Sequence, residues 1–194
     1  MFNKIHVLIL AAGAGKRFGM PKIKITLGEE SILDVHYGKL KNAGFENINV
    51  IISNKEHRLL SNYHNQINWI LNPAPENGMI SSIYLGIMNT TDSASYMILP
   101  VDYPFVCENT FQQLGQAFLI QSKSIIKPKY QEITGHPIII PQILVEKMEM
   151  NQFDISLNEY ILQSGLPIKS IDVDDPGILA NINKPDDLVN WQES

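Results

Sequence analysis

The chain has 194 residues, of which 44% are apolar and 18% charged, and its formal net charge is −5. This composition is near the average for globular proteins and predicts one folded domain, residues 1–194, rather than a disordered chain. The acidic balance provides no general attraction to nucleic acid or to an anionic membrane. Cys107 is the single cysteine, which excludes an internal disulfide and predicts a reducing, cytoplasmic location.

The first half of the chain alternates between patterns typical of strands and helices. A short apolar run rich in β-branched residues precedes a glycine-rich stretch, as expected where a buried strand enters a turn. Ser31 is the predicted N-cap of the first helix. The predicted elements are strand 5–10, helix 31–43, strand 47–52, helix 56–63, strand 69–71, helix 79–88 and strand 95–99.

The second half continues this alternation. Its predicted elements are helix 108–121, strands 124–127 and 138–140, helices 141–150 and 157–163, strand 168–173 and a terminal helix 185–191. Strands separated by helices predict an α/β fold with a doubly wound, mainly parallel sheet in a three-layer α/β/α arrangement. No apolar run reaches the roughly 20 residues of a membrane-spanning helix.

The strongest functional motif follows the first strand, as Leu10-Ala11-Ala12-Gly13-Ala14-Gly15-Lys16-Arg17-Phe18-Gly19, with Lys22 shortly after it. Small residues let backbone N–H groups approach a triphosphate, so this loop is predicted to bind a nucleotide through Leu10, Ala11, Ala12, Gly13 and Gly15. Arg17 and Lys22 supply the positive charge that phosphoryl chemistry requires and are predicted to be catalytic. The alternative is a tight turn with surface cations.

A second motif, Leu99-Pro100-Val101-Asp102-Tyr103-Pro104, places an acidic residue just after a predicted strand. Ligands of open α/β sheets bind beyond the carboxyl ends of the strands, so Asp102 is predicted to hold Mg²⁺ on the nucleotide phosphates. The alternative is a turn aspartate bonded to its own backbone.

Together these motifs resemble the nucleotidyltransferases with a MobA-like domain, in which L-A-A-G-x-G-x-R-x-G precedes a lysine and D-x-P follows a later strand. Asn72-Pro73, Gly78-Met79 and Ser82 are similar to the N-P-x-x-x-x-G-M-x-x-S segment of the molybdenum cofactor cytidylyltransferases. The resemblance implies nucleotide contacts by Asn72, Gly78 and Ser82. Gly135-His136-Pro137 resembles the G-H-P of that subfamily, which implies that His136 lies on the acceptor side.

The segment 174–188 resembles the closing D-D-P-G and D-I-D-T-P-E-D-L of the family, but Asn181 and Asn183 replace both aspartates of D-I-D. An asparagine carbonyl can still ligate Mg²⁺, which makes Asn183 a second candidate ligand. The alternative role of Asn183 is the N-cap of the terminal helix.

Two departures concern the acceptor side. Tyr103 stands where the molybdenum cofactor cytidylyltransferases usually have glutamine, and their G-D-x-G-A-R segment appears only as 153–158, without the arginine. An anionic acceptor would lose a cation there.

The resemblance implies a Mg²⁺-dependent transfer of CMP from CTP to a phosphorylated acceptor, with release of pyrophosphate. Ala12 in L-A-A-G favours CTP over GTP, and the subfamily likeness favours the molybdopterin cofactor as acceptor. The first alternative is a sugar or alditol phosphate as acceptor. The second is a non-catalytic nucleotide-binding protein on a degenerate scaffold. The oligomeric state is left open.

Overall fold

The computed structural model describes residues 2–13, 20–53, 67–90, 94–148 and 155–192. Its strands are β1 (Ile5–Leu10), β2 (Thr26–Leu27), β3 (Glu30–Ser31), β4 (Ile48–Ser53), β5 (Asn68–Asn72), β6 (Ser95–Pro100), β7 (Ile125–Tyr130), β8 (Ile133–Thr134), β9 (Ile138–Ile140) and β10 (Ile168–Asp172). Its α-helices are α1 (Ile32–Asn42), α2 (Gly78–Met88), α3 (Glu108–Ile120), α4 (Gln142–Val145), α5 (Leu157–Gln163) and α6 (Pro185–Gln192). Short 3-10 turns cover Lys22–Lys24, Pro75–Asn77 and Pro176–Ile178.

The central sheet is mainly parallel and follows the order β10-β7-β9-β6-β1-β4-β5, with β8 paired to β7. Strands β6, β1, β4 and β5 are parallel, and Leu10 at the end of β1 lies opposite Pro100 and Ile51. Strand β9 is antiparallel to β6, with Ile138 opposite Ile98 and Ile140 opposite Tyr96. The beginning of β9 therefore lies at the edge where β1 and β6 end.

Helices cover both faces of the sheet, which confirms the predicted three-layer α/β fold. Alternate residues of β1 point to opposite faces, so Val7 and Ile9 join one buried cluster and Leu8 joins the other. Helices α1 and α3 contribute to the cluster of Val7 and Ile9, while α2 and α5 contribute to that of Leu8. None of the described helices is long and apolar enough to cross a membrane.

Most predicted elements are present, and the differences are local. The Ser31 hydroxyl accepts a hydrogen bond from the Asp34 N–H, which confirms the predicted N-cap. The helix predicted over 141–150 is shorter in the described residues, because hydrogen bonds from the N–H groups of Lys147 and Met148 reach only three residues back. The hairpins β2–β3 and β7–β8 were not predicted. The helix predicted over 56–63 lies outside the described residues.

Candidate active site

Two loops leave the carboxyl edge of the sheet side by side, directly after β1 and β6. The N–H of Ala11 donates to the carbonyl of Ile51, and the N–H of Val101 donates to the carbonyl of Leu10. These bonds continue the strand pairing by one residue and set the direction in which both loops depart. The small residues after β1 therefore face the Asp102 loop, as the sequence motifs predict.

Lys22, Asp102 and Asn183 converge at this edge. The Nζ of Lys22 donates to the Oδ2 of Asp102 at 2.6 Å and to the Oδ1 of Asn183 at 2.9 Å. The side chains of Lys22 and Asp102 are each 17% exposed, so the pair is shielded but reachable from solvent. Residues separated by 80 and 161 positions in the sequence thus form one cluster.

Backbone contacts bring the closing segment to this cluster. The Ile182 N–H donates to the Asp102 carbonyl at 2.8 Å, so the two loops are hydrogen-bonded directly beside the cluster. The Asp187 carboxylate accepts from the N–H groups of Asn183 and Lys184, which holds the start of α6 in place and lowers the pKa of Asp187. The Asn183 side chain is therefore left to accept from Lys22.

A cavity of about 430 Å³, here called the first cavity, lies over the cluster. Most of the predicted site residues line it, and they are Leu10, Ala11, Ala12, Gly13, Lys22, Gly78, Ser82, Asp102 and Asn183. The structure thus brings the glycine-rich loop, the Asp102 loop and the start of α2 around one space. Gly15 and Arg17 lie outside the described residues.

Asn72 occupies a different position from the other predicted nucleotide contacts. It is 1% exposed and lies behind the cavity wall. Its amide nitrogen donates to the hydroxyl oxygens of Ser81 and Ser82, and its amide oxygen accepts from the Ala74 N–H. Asn72 therefore orients Ser82, which does line the cavity.

The oxygen atoms of the cluster match the ligands that Mg²⁺ prefers. Mg²⁺ prefers oxygen ligands and commonly takes one or two from the protein, with phosphates and water completing the shell. Asp102 and Asn183 present a carboxylate and an amide oxygen, both within 3 Å of one ammonium nitrogen. Among the described residues, no group of three or more histidine, cysteine or acidic side chains could hold a metal. This donor set fits a metal shared with a nucleotide.

A second cavity of about 540 Å³ adjoins the first and shares Gly78 and Met79 with it. His136, Tyr103 and Lys127 line it together with apolar residues such as Ile138 and Leu157. The reversed direction of β9 places His136 here, since the G-H-P segment immediately precedes that strand.

His136 is neutral in this setting. Burial lowers the pKa of His136 to about 4, an effect that the Asp102 charge opposes and the Lys127 charge reinforces. Its ring lies 4.8 Å from the Tyr103 ring, centroid to centroid, and its buried Nδ1 atom has no hydrogen-bond partner among the described residues. A neutral imidazole near Asp102 can donate or accept one hydrogen bond from a ligand.

Sequence reasoning missed two residues of α1 that hydrogen-bond to backbone carbonyls of the Asp102 loop. His36 is fully buried, and its Nε2–H donates to the Val101 carbonyl at 3.0 Å. Lys39 donates to the carbonyls of Pro104 and Val106, each at 2.9 Å. The signal for His36 was its spacing of four residues from Ile32 and Leu40 along the buried stripe of α1.

Asp175 was also missed as a structural anchor. Its carboxylate is 2% exposed and accepts from the Cys107 N–H, the Thr110 hydroxyl and the Gly177 N–H. It thereby caps α3 from a distant segment, since Cys107 offers no side-chain cap. A Cβ on Gly177 would lie 2.3 Å from the Phe105 carbonyl oxygen, so this approach requires glycine.

Comparison with known proteins identifies the family. The model of the MobA-like NTP transferase domain matches residues 7–165, which is most of the chain. The chain belongs to the MobA-like NTP transferase family. No curated protein matches the sequence of this MobA-like transferase.

Solved structures share the fold of this MobA-like transferase. Rv0371C of Mycobacterium tuberculosis H37Rv in complex with manganese has a TM-score of 0.79 at 16% identity, covering 99% of this chain and 100% of that one. The 4-diphosphocytidyl-2C-methyl-D-erythritol synthase of Anaerococcus prevotii DSM 20548 has a TM-score of 0.77 at 12% identity, covering 100% of each chain. Molybdopterin-guanine dinucleotide biosynthesis protein A of Archaeoglobus fulgidus has a TM-score of 0.74 at 20% identity, covering 97% of each.

Proposed function

We propose that this protein transfers CMP from CTP to a phosphorylated small-molecule acceptor and releases pyrophosphate. The observation that carries the proposal is the contact of Lys22 with both Asp102 and Asn183 beneath the first cavity. A cation and two oxygen ligands at the carboxyl edge of an open sheet are what a metal-bound triphosphate requires.

The walls of the first cavity suit a nucleotide. Its volume of about 430 Å³ falls within the range of small-molecule sites. Ala11, Ala12 and Gly13 let the phosphates approach the backbone closely, and the Ser82 hydroxyl is positioned by Asn72 to bond the nucleoside. Gly78 opens α2 and lines the cavity, so the N–H groups of the first turn, which have no partner within the helix, would be available to the nucleotide.

Asp102 and Asn183 would hold Mg²⁺ in the proposed complex. The metal supplies Lewis-acid neutralisation of the phosphate charge. The manganese complex of Rv0371C, a protein of the same fold, is consistent with a divalent cation in this architecture. Because Asn183 carries no charge, Asp102 contributes the single negative charge of this ligand pair.

The reaction requires positioning and charge neutralisation from the chain. An oxygen of the acceptor phosphate gives an electron pair to the α-phosphorus of CTP, and the bond from the α-phosphorus to the bridging oxygen breaks. Pyrophosphate leaves with that electron pair. Lys22 and Arg17 would neutralise the charge on the phosphates, and the ionised acceptor phosphate needs no general base.

The acceptor assignment has two branches. The subfamily motifs favour the molybdopterin cofactor, and one protein of the same fold is named for molybdopterin-guanine dinucleotide biosynthesis. The missing arginine in 153–158 favours a sugar or alditol phosphate, and another protein of the same fold is named as a diphosphocytidyl-methylerythritol synthase. We place the pterin first because more of its motifs are present.

Pyrophosphate release distinguishes these branches. Each of the four NTPs is supplied with Mg²⁺ or Mn²⁺, and molybdopterin or one member of a sugar and alditol phosphate panel is added as acceptor. Release with CTP and molybdopterin supports the proposal, while release with a sugar phosphate moves it to the second branch. No release, together with no NTP-dependent rise in Tm, would contradict any transferase activity.

A further inference from the structure

The second cavity contains a lysine, Lys127, that no carboxylate of the described residues contacts. Lys127 lines this cavity, is partly buried, and donates a 3.3 Å hydrogen bond to the neutral amide oxygen of Asn158. Burial lowers the pKa of Lys127, and no carboxylate of the described residues opposes that effect. A partly buried ammonium group that bonds a neutral amide at 3.3 Å still has hydrogen-bond donors for an anion.

Lys129, on the same strand, is a lysine whose charge is paired with carboxylates. It lies two residues further along β7 and therefore on the same face of the sheet. Its Nζ pairs with Glu132 at 3.1 Å and with Asp172 at 3.2 Å, which raises the pKa of Lys129. Among the described residues, two lysines of one strand face thus differ in whether a carboxylate pairs with them.

The surroundings of Lys127 are suited to a ligand that is anionic at one end. No acidic residue is among the described residues that line the second cavity. The remaining wall combines apolar residues with neutral polar ones and includes the Tyr103–His136 ring pair. Lys127 and His136 line the same cavity.

We propose that Lys127 binds the phosphate of the acceptor in the second cavity and selects phosphate monoesters as acceptors. Lys127 thereby supplies, from β7, the cation that is missing from 153–158, and its partner Asn158 belongs to that same segment. The rest of the acceptor packs against the remaining wall and the Tyr103–His136 pair. This inference rests on the proposed function.

The direct test uses inorganic phosphate as the probe and the ring ¹⁵N signals of His136 as the reporter. Loss of those signals in His136→Gln assigns them. Phosphate should shift them saturably in the wild type and in Lys129→Gln, the matched control. Lys127→Gln should weaken the apparent Kd roughly tenfold or more, because a charge-assisted hydrogen bond is lost. Lys127→Met, which keeps the aliphatic stem, serves if Lys127→Gln does not fold.

Two results would overturn the inference. One is an unchanged phosphate Kd in the neutral Lys127 variants, and the other is no saturable shift in the wild type. CTP binding is followed separately as a Mg²⁺-dependent rise in Tm. A rise in Tm without phosphate binding would reject Lys127 and leave the proposed function standing. Phosphate binding through Lys127 without any effect of CTP on the Tm would support the anion site and count against the proposed function.

A kinetic comparison completes the test once an acceptor is found. Lys127→Gln should raise the KM for the acceptor about tenfold while the KM for CTP stays within twofold. Lys127→Arg should restore most of the acceptor affinity, because it keeps the charge. Equal increases in both KM values would contradict a role confined to the acceptor.

Discussion

The two cavities at the carboxyl edge of the sheet differ in how their charge is arranged. In the first, Lys22 contacts both Asp102 and Asn183, and the facing wall consists of small residues. In the second, Lys127 has a neutral partner and the wall combines apolar residues with neutral polar ones. The first cavity lies at the ends of the parallel strands β1 and β6, whereas the second lies at the start of the antiparallel strand β9.

This difference indicates how the proposed work is divided. A triphosphate with its metal presents the same groups whatever the base, so it suits a compact cluster of opposite charges. An acceptor carries a phosphate and a remainder of variable structure, so it suits a space with one cation and a wall of mixed polarity. Substitutions should therefore separate the chemical step from acceptor recognition.

Asp102→Asn should have the largest effect, because it removes the single carboxylate of the proposed metal pair. We expect kcat to fall roughly 10²–10³-fold, as for the loss of one group that stabilises a transition state. Pyrophosphate release measures the rate, and a melting curve should show that the fold is kept. Asp172→Asn is the control, since Asp172 is 83% exposed and its ion pair adds little. Activity within tenfold of the wild type would remove Asp102 from the metal site.

Lys22→Ala should slow turnover by about 10²-fold, equivalent to roughly 3 kcal/mol of lost transition-state stabilisation. Lys24→Ala is the control, because Lys24 lies in the same 3-10 turn but is exposed. Both are assayed with saturating CTP and acceptor, so that kcat is compared. Equal rates for the two variants would show that position 22 has no special role.

Gly135→Ala should destabilise the second cavity and leave the first intact. A Cβ at this position would lie 2.2 Å from the Ile178 carbonyl oxygen, so backbone must move. We expect the free energy of unfolding to fall by about 2 kcal/mol, measured by urea denaturation. Gly38→Ala is a control with the opposite expected sign. A Cβ there has free space within α1, so alanine should stabilise the helix. Loss of CTP binding in Gly135→Ala would contradict the separation.

Part of this arrangement was predictable from sequence. Leu10 and Asp102 each lie at or just after the end of a predicted strand. Because parallel strands end at the same edge of a sheet, both residues were expected at that edge. The position of His136 could be assigned to the acceptor side only through the family resemblance, since it depends on the direction of β9.

Other features depend on contacts between distant segments. Asp175 caps α3 across 65 positions or more, and no local pattern at Cys107 or Thr110 reveals that partner. Lys127 and Lys129 look alike in the sequence, and only the fold shows that Glu132 and Asp172 meet one of them. Charge pairing of this kind follows from tertiary structure rather than from periodicity.

The smallest predicted effect concerns a feature that the two cavities share. His36 below the first and His136 beside the second are both kept neutral, because burial lowers each pKa to about 4. The unfolded chain protonates these residues near pH 6.5, so the unfolded state binds more protons between pH 6.5 and 4. Stability should therefore fall as the pH decreases through this window, by about 1.4 kcal/mol per pH unit for each histidine.

Urea denaturation of His36→Gln and His136→Gln at pH 6 and pH 5 tests this shared feature. In each single variant, the change in the free energy of unfolding between the two pH values should be smaller by the contribution of one histidine. In the double variant, both contributions should be lost. Most carboxylates titrate below this interval, so their contribution is small there. If only His36→Gln flattens the pH dependence, then His136 is protonated as readily in the folded chain as in the unfolded one. The second cavity would then hold a second titrating cation beside Lys127, and anion binding there would strengthen below pH 6.5.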